Sequence, residues 1–312
     1  MNERGEKHFD ILLAKKAYAQ GKNITEILRG QKNVDFNTSE IIELAYDLQA
    51  GTYIEKYELD PVIDHAYASE LAIVLDRYID KQSTLLDVGT GELTTLSLLS
   101  SRIFNKPKKY FAFDISWSRL YKGLAFAKKI MLDDYDRLMP FVADINEIPL
   151  PDKSICVTTS SHALEPNGGR LPELMAELFR VTSDVLVLFE PCYEINSVEG
   201  KLRMDRLGYI KDIDGVAKRL GGEVIQKIKI ANIANPLNPT VCFIIKPPSI
   251  GSNTINRYLN IDNIYSVPGT SHHLDRLDDF YFSRETGLCF PVLKSIPILR
   301  SSAAILATAL VQ

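Results

Sequence analysis

The stretch Leu85-Leu86-Asp87-Val88-Gly89-Thr90-Gly91-Glu92-Leu93 reads as a buried strand, a glycine turn and the start of a helix. Its apolar run suits a strand covered on both faces. Glycine allows positive φ and a close approach of backbone to ligand. A helix N-terminus behind the turn offers free N–H groups to an anion. A dinucleotide loop would continue to a third glycine. Here Leu93 and Thr94 follow instead, so a pyrophosphate cradle is not expected. An acid just ahead of the loop suits a ligand that carries both an amino group and a carboxylate.

Outward from this stretch the chain alternates strand and helix. Apolar strands are expected at 85–88, 110–113, 155–159, 185–189, 224–230 and 241–245, and helices at 93–102, 117–132, 171–181 and 213–220. Repeated βα units imply a mostly parallel sheet with helices on both faces. The last two strands are joined by Asn235-Pro236-Leu237-Asn238-Pro239 without a helix, which implies an antiparallel end to the sheet. Asn235 and Asn238 read as turn residues beside proline. Two more acids follow apolar runs, in Phe111-Ala112-Phe113-Asp114 and Phe141-Val142-Ala143-Asp144-Ile145. Asp114 is placed to accept both hydroxyls of a ribose, and Asp144 to accept from an adenine amino group. Either acid alone would read as a helix cap or a solvated side chain. Three acids after successive strands fall together at the carboxyl edge, where such sheets bind ligands.

The first 80 residues read as helices with apolar stripes, as in Ile41, Leu44, Ala45 and Leu48, or Ile63, Tyr67, Leu71, Val74 and Tyr78. Asp60-Pro61 is a helix start. Striped helices must lie against something, so residues 1–80 are expected to form a lid on a core spanning 81–248. A composition break from Ser249 to Asn256 reads as a linker. Beyond it, residues 249–312 read as a small strand-rich module ending in an apolar helix, Ser301 to Val311. That stretch is too short to span a bilayer.

A chain of 312 residues with 46% hydrophobic and 24% charged residues is an ordinary globular protein, not a collagen, a disordered tail or a disulfide-stapled miniprotein. The net charge of −4 argues against broad nucleic-acid binding. The four cysteines form no CxxC pair and read as reduced and structural. The opening residues MNERGEKHFD show no signal-peptide pattern, and a cytoplasmic location is expected.

Residues 84–246, through Asp87, Gly89, Gly91, Asp114 and Asp144, resemble a class I S-adenosylmethionine-dependent methyltransferase. The resemblance implies a seven-stranded Rossmann-like sheet with an antiparallel last strand. It departs at Leu93, where many members carry a third glycine. It implies that Asp87 and the loop Gly89, Thr90, Gly91 hold the methionine moiety. Asp114 would bind the ribose, with Ile115 packing on adenine, while Asp144 and Ile145 meet the adenine edge. The segment Ala45-Tyr46-Asp47-Leu48-Gln49-Ala50-Gly51-Thr52-Tyr53 resembles the part of small-molecule methyltransferases that closes an aromatic residue, here Tyr46 or Tyr53, over the cofactor. The run from Tyr281 to Leu299 resembles the zinc-ribbon-like activator domain of RNA and protein methyltransferases. Its metal-binding version starts at a Cys-Pro segment. Here Ser266-Val267-Pro268 stands in that place and only Cys289 lies nearby, so no tetrahedral set can form and no metal is expected. His272 and His273 read as solvated loop residues.

Methyl transfer is an in-line displacement in which the protein supplies positioning and electrostatics, plus a base for a hydroxyl nucleophile. The segment after the fourth strand should lie beside the reactive methyl and offers Ser161, His162 and Glu165. His162 is the candidate base, with Glu165 a second, against ordinary backbone-bonded and helix-start readings. Glu190 and Tyr193 end the next strand and are expected to face the same cleft. Arg203 and Arg206 offer anion anchors, against a reading as a basic surface turn. The expectation is transfer to an oxygen or nitrogen of a small metabolite such as a sugar or carboxylate, with a homo-oligomer left open. Alternatives are an RNA- or protein-modifying methyltransferase with its activator fused in cis, and a non-catalytic S-adenosylmethionine-binding scaffold.

Overall fold

The computed structural model describes residues 10–249 and 261–311. The linker read from Ser249 to Asn256 lies, past Ser249, outside the described residues, as does the opening segment 1–9. Five helices lead the chain: α1 (Ile11–Ala19), α2 (Ile24–Lys32), α3 (Ser39–Leu48), α4 (Thr52–Leu59) and α5 (Val62–Leu75). The first three bury a small core of their own from Ala14, Ala17, Ile24, Leu28, Ile41 and Ala45. This agrees with the 3.6-residue stripe in the sequence. Asp60 Oδ1 accepts the Val62 N–H at 3.2 Å, so the Asp-Pro pair does open α5.

The sheet that follows has β1 (Thr84–Val88), β2 (Lys109–Asp114), β3 (Leu138–Val142), β4 (Ile155–Ser161), β5 (Thr182–Pro191), β6 (Glu223–Lys229) and β7 (Thr240–Lys246). Its order is β3-β2-β1-β4-β5-β7-β6. The first five strands of that order run parallel, and β7 is antiparallel to both β5 and β6. Helices α6 (Thr94–Ser100), α7 (Trp117–Met131), α8 (Leu171–Val181), α9 (Val198–Leu207) and α10 (Ile213–Arg219) complete it. Two hydrophobic clusters cover the two faces, one around Phe111, Phe141 and Leu178, the other around Leu75, Leu85 and Val157. The sheet is thus a mostly parallel, seven-stranded layer with helices on both sides.

The sequence showed α9 only as a basic surface turn. It forms because Ser197 caps its N-terminus, accepting from the Gly200 N–H, and Gly208 ends it in the left-handed conformation.

The C-terminal strands are β8 (Asp275–Leu277), β9 (Phe280–Phe282), β10 (Leu288–Leu293), β11 (Ile296–Pro297) and β12 (Ile305–Leu306), paired antiparallel. Tyr265, Tyr281 and Phe290 share one core with Phe111 and Phe141 of the sheet. The Leu299 N–H donates to Val142 O at 2.8 Å, and Ile298 bridges Val142. The module therefore covers the edge of the sheet at β3, which would otherwise present unpaired backbone. The expected final helix is not formed. Residues 301–311 make two 3₁₀ turns around β12, which pairs with Leu288 and Cys289. An isolated helix of that length is marginal, whereas a strand beside β10 gains ladder hydrogen bonds at once.

Candidate active site

The glycine turn after β1 depends on glycine at both positions. Gly89 and Gly91 have φ of +62° and +57°. A Cβ on Gly89 would stand 2.4 Å from Ala163 Cβ, and one on Gly91 2.5 Å from Arg119 Nη2. Leu93 adopts φ +58°, so the backbone keeps the shape a third glycine would give. The left-handed conformation costs about 1–2 kcal/mol, and burial of the leucine side chain offsets it with about 1.5–3 kcal/mol.

Asp114 ends β2 and locks the turn. Its Oδ2 accepts the Gly91 N–H at 2.9 Å and its Oδ1 the Ser116 N–H at 2.8 Å. Asp144 Oδ1 accepts the Asn146 N–H at 3.0 Å. Gly89, Thr90, Gly91, Asp114, Ile115, Asp144, Ile145 and Ser161 all line one cleft, together with Tyr46, Tyr53, His162 and Glu165. Its empty volume out to the mouth is about 910 Å³, the size of a small-molecule site. Asp87 lies beneath the turn, outside the wall. Burial, with the nearby Asp114 charge, pushes its carboxyl up to about 7. A cation above it would favour its ionised form.

Two residues of this cleft escape a reading of the sequence. Arg119 stands over the rings of Tyr46 and Tyr53, 5.1 and 4.8 Å from their centroids. Glu92 lies 3.9 Å and Asp114 4.0 Å from its guanidinium. Its buried Nε has no hydrogen-bond partner among the described residues. One signal was available: Ser116 caps α7 and accepts the Arg119 N–H. That puts a cation in a helix's first turn, against the dipole. Glu92 is 1% exposed. It accepts the Gly51 N–H at Oε1 and the Ile54 N–H at Oε2, both at 2.9 Å. A residue of the glycine turn thus caps helix α4.

A second cavity of about 1,010 Å³, measured to its mouth, adjoins the first. Tyr53, Thr94, Thr95, Ser161, His162 and Glu165 line both. Much of the rest of its wall comes from α4 and α5, through Lys56, Tyr57, Asp64 and Tyr67, and from the β6–β7 segment, through Asn232, Asn235, Asn238 and Thr240.

His162 sits on the shared wall with φ +58°. Its Nδ1 lies 3.0 Å from Glu165 Oε2 and its Nε2 3.0 Å from Thr240 Oγ1. Glu165 also accepts from the Tyr209 hydroxyl at 3.0 Å and from Asn238 Nδ2 at 3.1 Å. Burial alone would lower the imidazole pKa. The hydrogen bond and charge of Glu165, with the charge of Glu190, outweigh it and hold the pKa above its ordinary value.

Glu190, Tyr193, Arg203 and Arg206 are not in the described walls of either cavity. Glu190 is fully buried behind the His162 loop, where Oε1 accepts from the Ser160 hydroxyl and the Ala163 and Leu164 N–H groups. It shapes that loop from below instead of facing the cleft. Burial pushes its carboxyl up to about 7. The chain turns outward after β5, so the Tyr193 hydroxyl reaches Asp205 at the exposed surface. Arg203 packs over the Tyr209 ring, and Arg206 is exposed. Among the described residues no three of His, Cys, Asp and Glu gather as a metal site, and no helix is long and apolar enough to cross a membrane.

No protein-family model and no curated protein matches the sequence. Solved structures do resemble its fold. One is a proposed methyltransferase from Haloferax volcanii in complex with the Trm112 methyltransferase activator. It has 15% identity and a TM-score of 0.50, covering 64% of this chain and 98% of that one. A S-adenosylmethionine-dependent methyltransferase from Aquifex aeolicus has 19% identity and a TM-score of 0.46, covering 63% and 97%. A proposed sarcosine dimethylglycine methyltransferase from Galdieria sulphuraria has 14% identity and a TM-score of 0.46, covering 59% and 85%. At this identity the likeness is one of fold, and chemistry has to be argued from the site.

Proposed function

We propose that the chain is a S-adenosylmethionine-dependent methyltransferase that transfers to an oxygen or nitrogen of a small molecule. The cofactor would lie in the first cavity and the acceptor in the second. The observation that carries this reading is the shared wall: two cavities meet at Ser161, His162 and Glu165, where a donor and an acceptor must face each other.

The first cavity fits the cofactor on its own geometry. Both loop glycines line the cavity and let Ala163 and Arg119 pack close against the turn, and the buried Arg119 Nε has no partner among the described residues. When bound, the cofactor supplies an electrophilic methyl on sulfur. Asp114 would accept from ribose hydroxyls, and Ile115 and Ile145 would pack on adenine beside Asp144. Arg119 would pair with the carboxylate, and Asp87 would balance the amino group from below. Tyr53 and Tyr46 would close the cleft and exclude water.

His162 is oriented through Nδ1 by Glu165, and its Nε2 lies 3.0 Å from the hydroxyl of Thr240 on the wall of the second cavity. There it would take the acceptor's proton as the general base, in the base-and-orienter arrangement of a catalytic dyad. Glu165 would also place negative charge near the reacting centre. We read the C-terminal strands as a built-in counterpart of an activator, on the ground that they cover the sheet edge at β3.

The test is calorimetry with S-adenosylhomocysteine. The intact chain should bind one equivalent, and Asp114→Ala should weaken binding by about 1.5–3 kcal/mol, the range for hydrogen bonds to a charged group. Absence of binding by the intact chain would sink the assignment.

A further inference from the structure

Helix α4 and the first turn of α5 bring two unpaired charges of opposite sign to the second cavity. Lys56 and Asp64 both line it. Neither side chain has an ion pair or a hydrogen bond among the described residues. Burial holds the Asp64 carboxyl above its ordinary value, and Lys56 draws it down. The two charges therefore act on each other without joining. The other acid of the wall, Glu165, is already engaged: it accepts from Tyr209 and Asn238 and lies against His162.

A third group sides with Lys56. Arg102 is held by Leu98 O, Ser101 and Ser69, and its Nη2 lies 2.5 Å from His65 Nδ1. A guanidinium only donates, so Nδ1 accepts and the hydrogen of the neutral ring sits on Nε2. That Nε2 lies 3.2 Å from the Tyr57 hydroxyl, which then accepts from it. Tyr57 keeps its own hydrogen unspent, and it belongs to the same wall. Tyr53, Lys56 and Tyr57, spaced by three and four, share one face of α4. That face offers an ammonium and a phenolic O–H, the donors that a carboxylate takes. Asp64, in the first turn of α5, offers the acceptor that an ammonium takes. Ile63, Tyr67 and Leu98 add an apolar and aromatic flank.

We infer that the second cavity takes a free amino acid, its carboxylate held by Lys56 and Tyr57 and its ammonium by Asp64. This deepens the methyltransferase reading and rests on it only for naming the molecule an acceptor. A head group held there leaves the side chain to lie on the apolar flank and reach Ser161 and His162, on the wall shared with the first cavity. A molecule with a single charge satisfies one of the two wall charges, and a neutral molecule satisfies neither.

The probes are phenylalanine, hydrocinnamate, which lacks the ammonium, and phenethylamine, which lacks the carboxylate. Each is titrated into the full chain by protein-observed NMR, with and without saturating S-adenosylhomocysteine. Phenylalanine should bind about fivefold or more tightly than either analogue, the range for a hydrogen bond to a charged group discounted for the exposure of Lys56. Lys56→Met should bring phenylalanine towards the level of phenethylamine and leave phenethylamine itself unchanged. Asp64→Asn should bring phenylalanine towards the level of hydrocinnamate and leave hydrocinnamate unchanged. Tyr57→Phe should weaken phenylalanine and hydrocinnamate and spare phenethylamine. Thermal unfolding checks each variant; where one does not fold, the ranking of the three probes on the intact chain decides. Either analogue binding as tightly as phenylalanine, no binding of phenylalanine, or a loss in Lys56→Met shared equally by all three probes overturns the inference. A chain that ranks the probes as expected but does not bind S-adenosylhomocysteine keeps this inference and loses the methyltransferase reading. The converse result loses only this one.

Discussion

Glu92→Ala tests whether the glycine turn and the N-terminal helices are one device. Glu92 follows Gly91, yet its carboxylate is spent on α4, taking the Gly51 and Ile54 N–H groups at 2.9 Å each and the Tyr53 N–H at 3.4 Å. Alanine leaves these amides without an acceptor at a helix N-terminus. Hydrogen bonds to a charged group are worth about 1.5–3 kcal/mol net, and loss of a helix cap about 0.5–2 kcal/mol. The contacts are coupled and do not add in full, so about 2–3 kcal/mol is the working figure for lid closure. Arg119 keeps Asp114 at 4.0 Å, so its own placement should survive. If binding needs the closed lid, S-adenosylhomocysteine affinity should fall by about 10- to 100-fold. Hydrogen exchange at residues 51–54 should speed up while the strands β1 and β4 keep their protection. Glu92→Gln, which retains one acceptor, should lie between. Unchanged affinity together with unchanged exchange at 51–54 would refute the coupling.

Removing residues 1–58 takes away Tyr46, Tyr53 and the helix that Glu92 caps, while both core clusters of the sheet remain. The truncated chain should unfold cooperatively yet lose turnover. A folded and fully active truncation, or strong salt-dependent RNA binding by the intact chain, would favour an RNA-modifying enzyme over one acting on a small molecule. Glu190→Gln should change how stability depends on pH. The native carboxyl titrates at about 7, against about 4.3 in an unfolded chain. Its contribution to stability is therefore full below about 4.3 and is lost as pH rises towards 7. Glutamine keeps an acceptor for Ser160, Ala163 and Leu164 and cannot ionise. The variant should gain on the wild type between pH 5 and pH 8, by of the order of 1–3 kcal/mol. An identical melting difference at both pH values would count against a raised carboxyl.

The strand-end half of the candidate site was legible in the sequence and the loop-built half was not, for a physical reason. Gly89, Asp114 and Asp144 each sit at the end of a parallel strand, and parallel topology delivers all strand ends to one edge. Knowing the strands was enough to bring those residues together. The second cavity is instead made where the N-terminal helices, the His162 loop and the β6–β7 loop meet, and loops carry no periodicity that fixes their path. Hence Asn238 looked like a turn residue and proves to be part of a wall. Tyr193, Arg203 and Arg206 looked like wall and are absent from the described walls of both cavities, because the chain leaves the cleft at Cys192, whose N–H bonds Pro239 O. Glu190 failed for a subtler cause: its strand end is correctly placed, but the left-handed turn at His162 folds back over it and takes its carboxylate as an anchor. The same turn aims His162 at Thr240. A residue expected to face the cleft therefore lies one layer deeper, where it holds the backbone that carries His162. Exchange of the acceptor by evolution would then require changes in the lid and the β6–β7 loop, with Glu190 and the strand-end acids left alone.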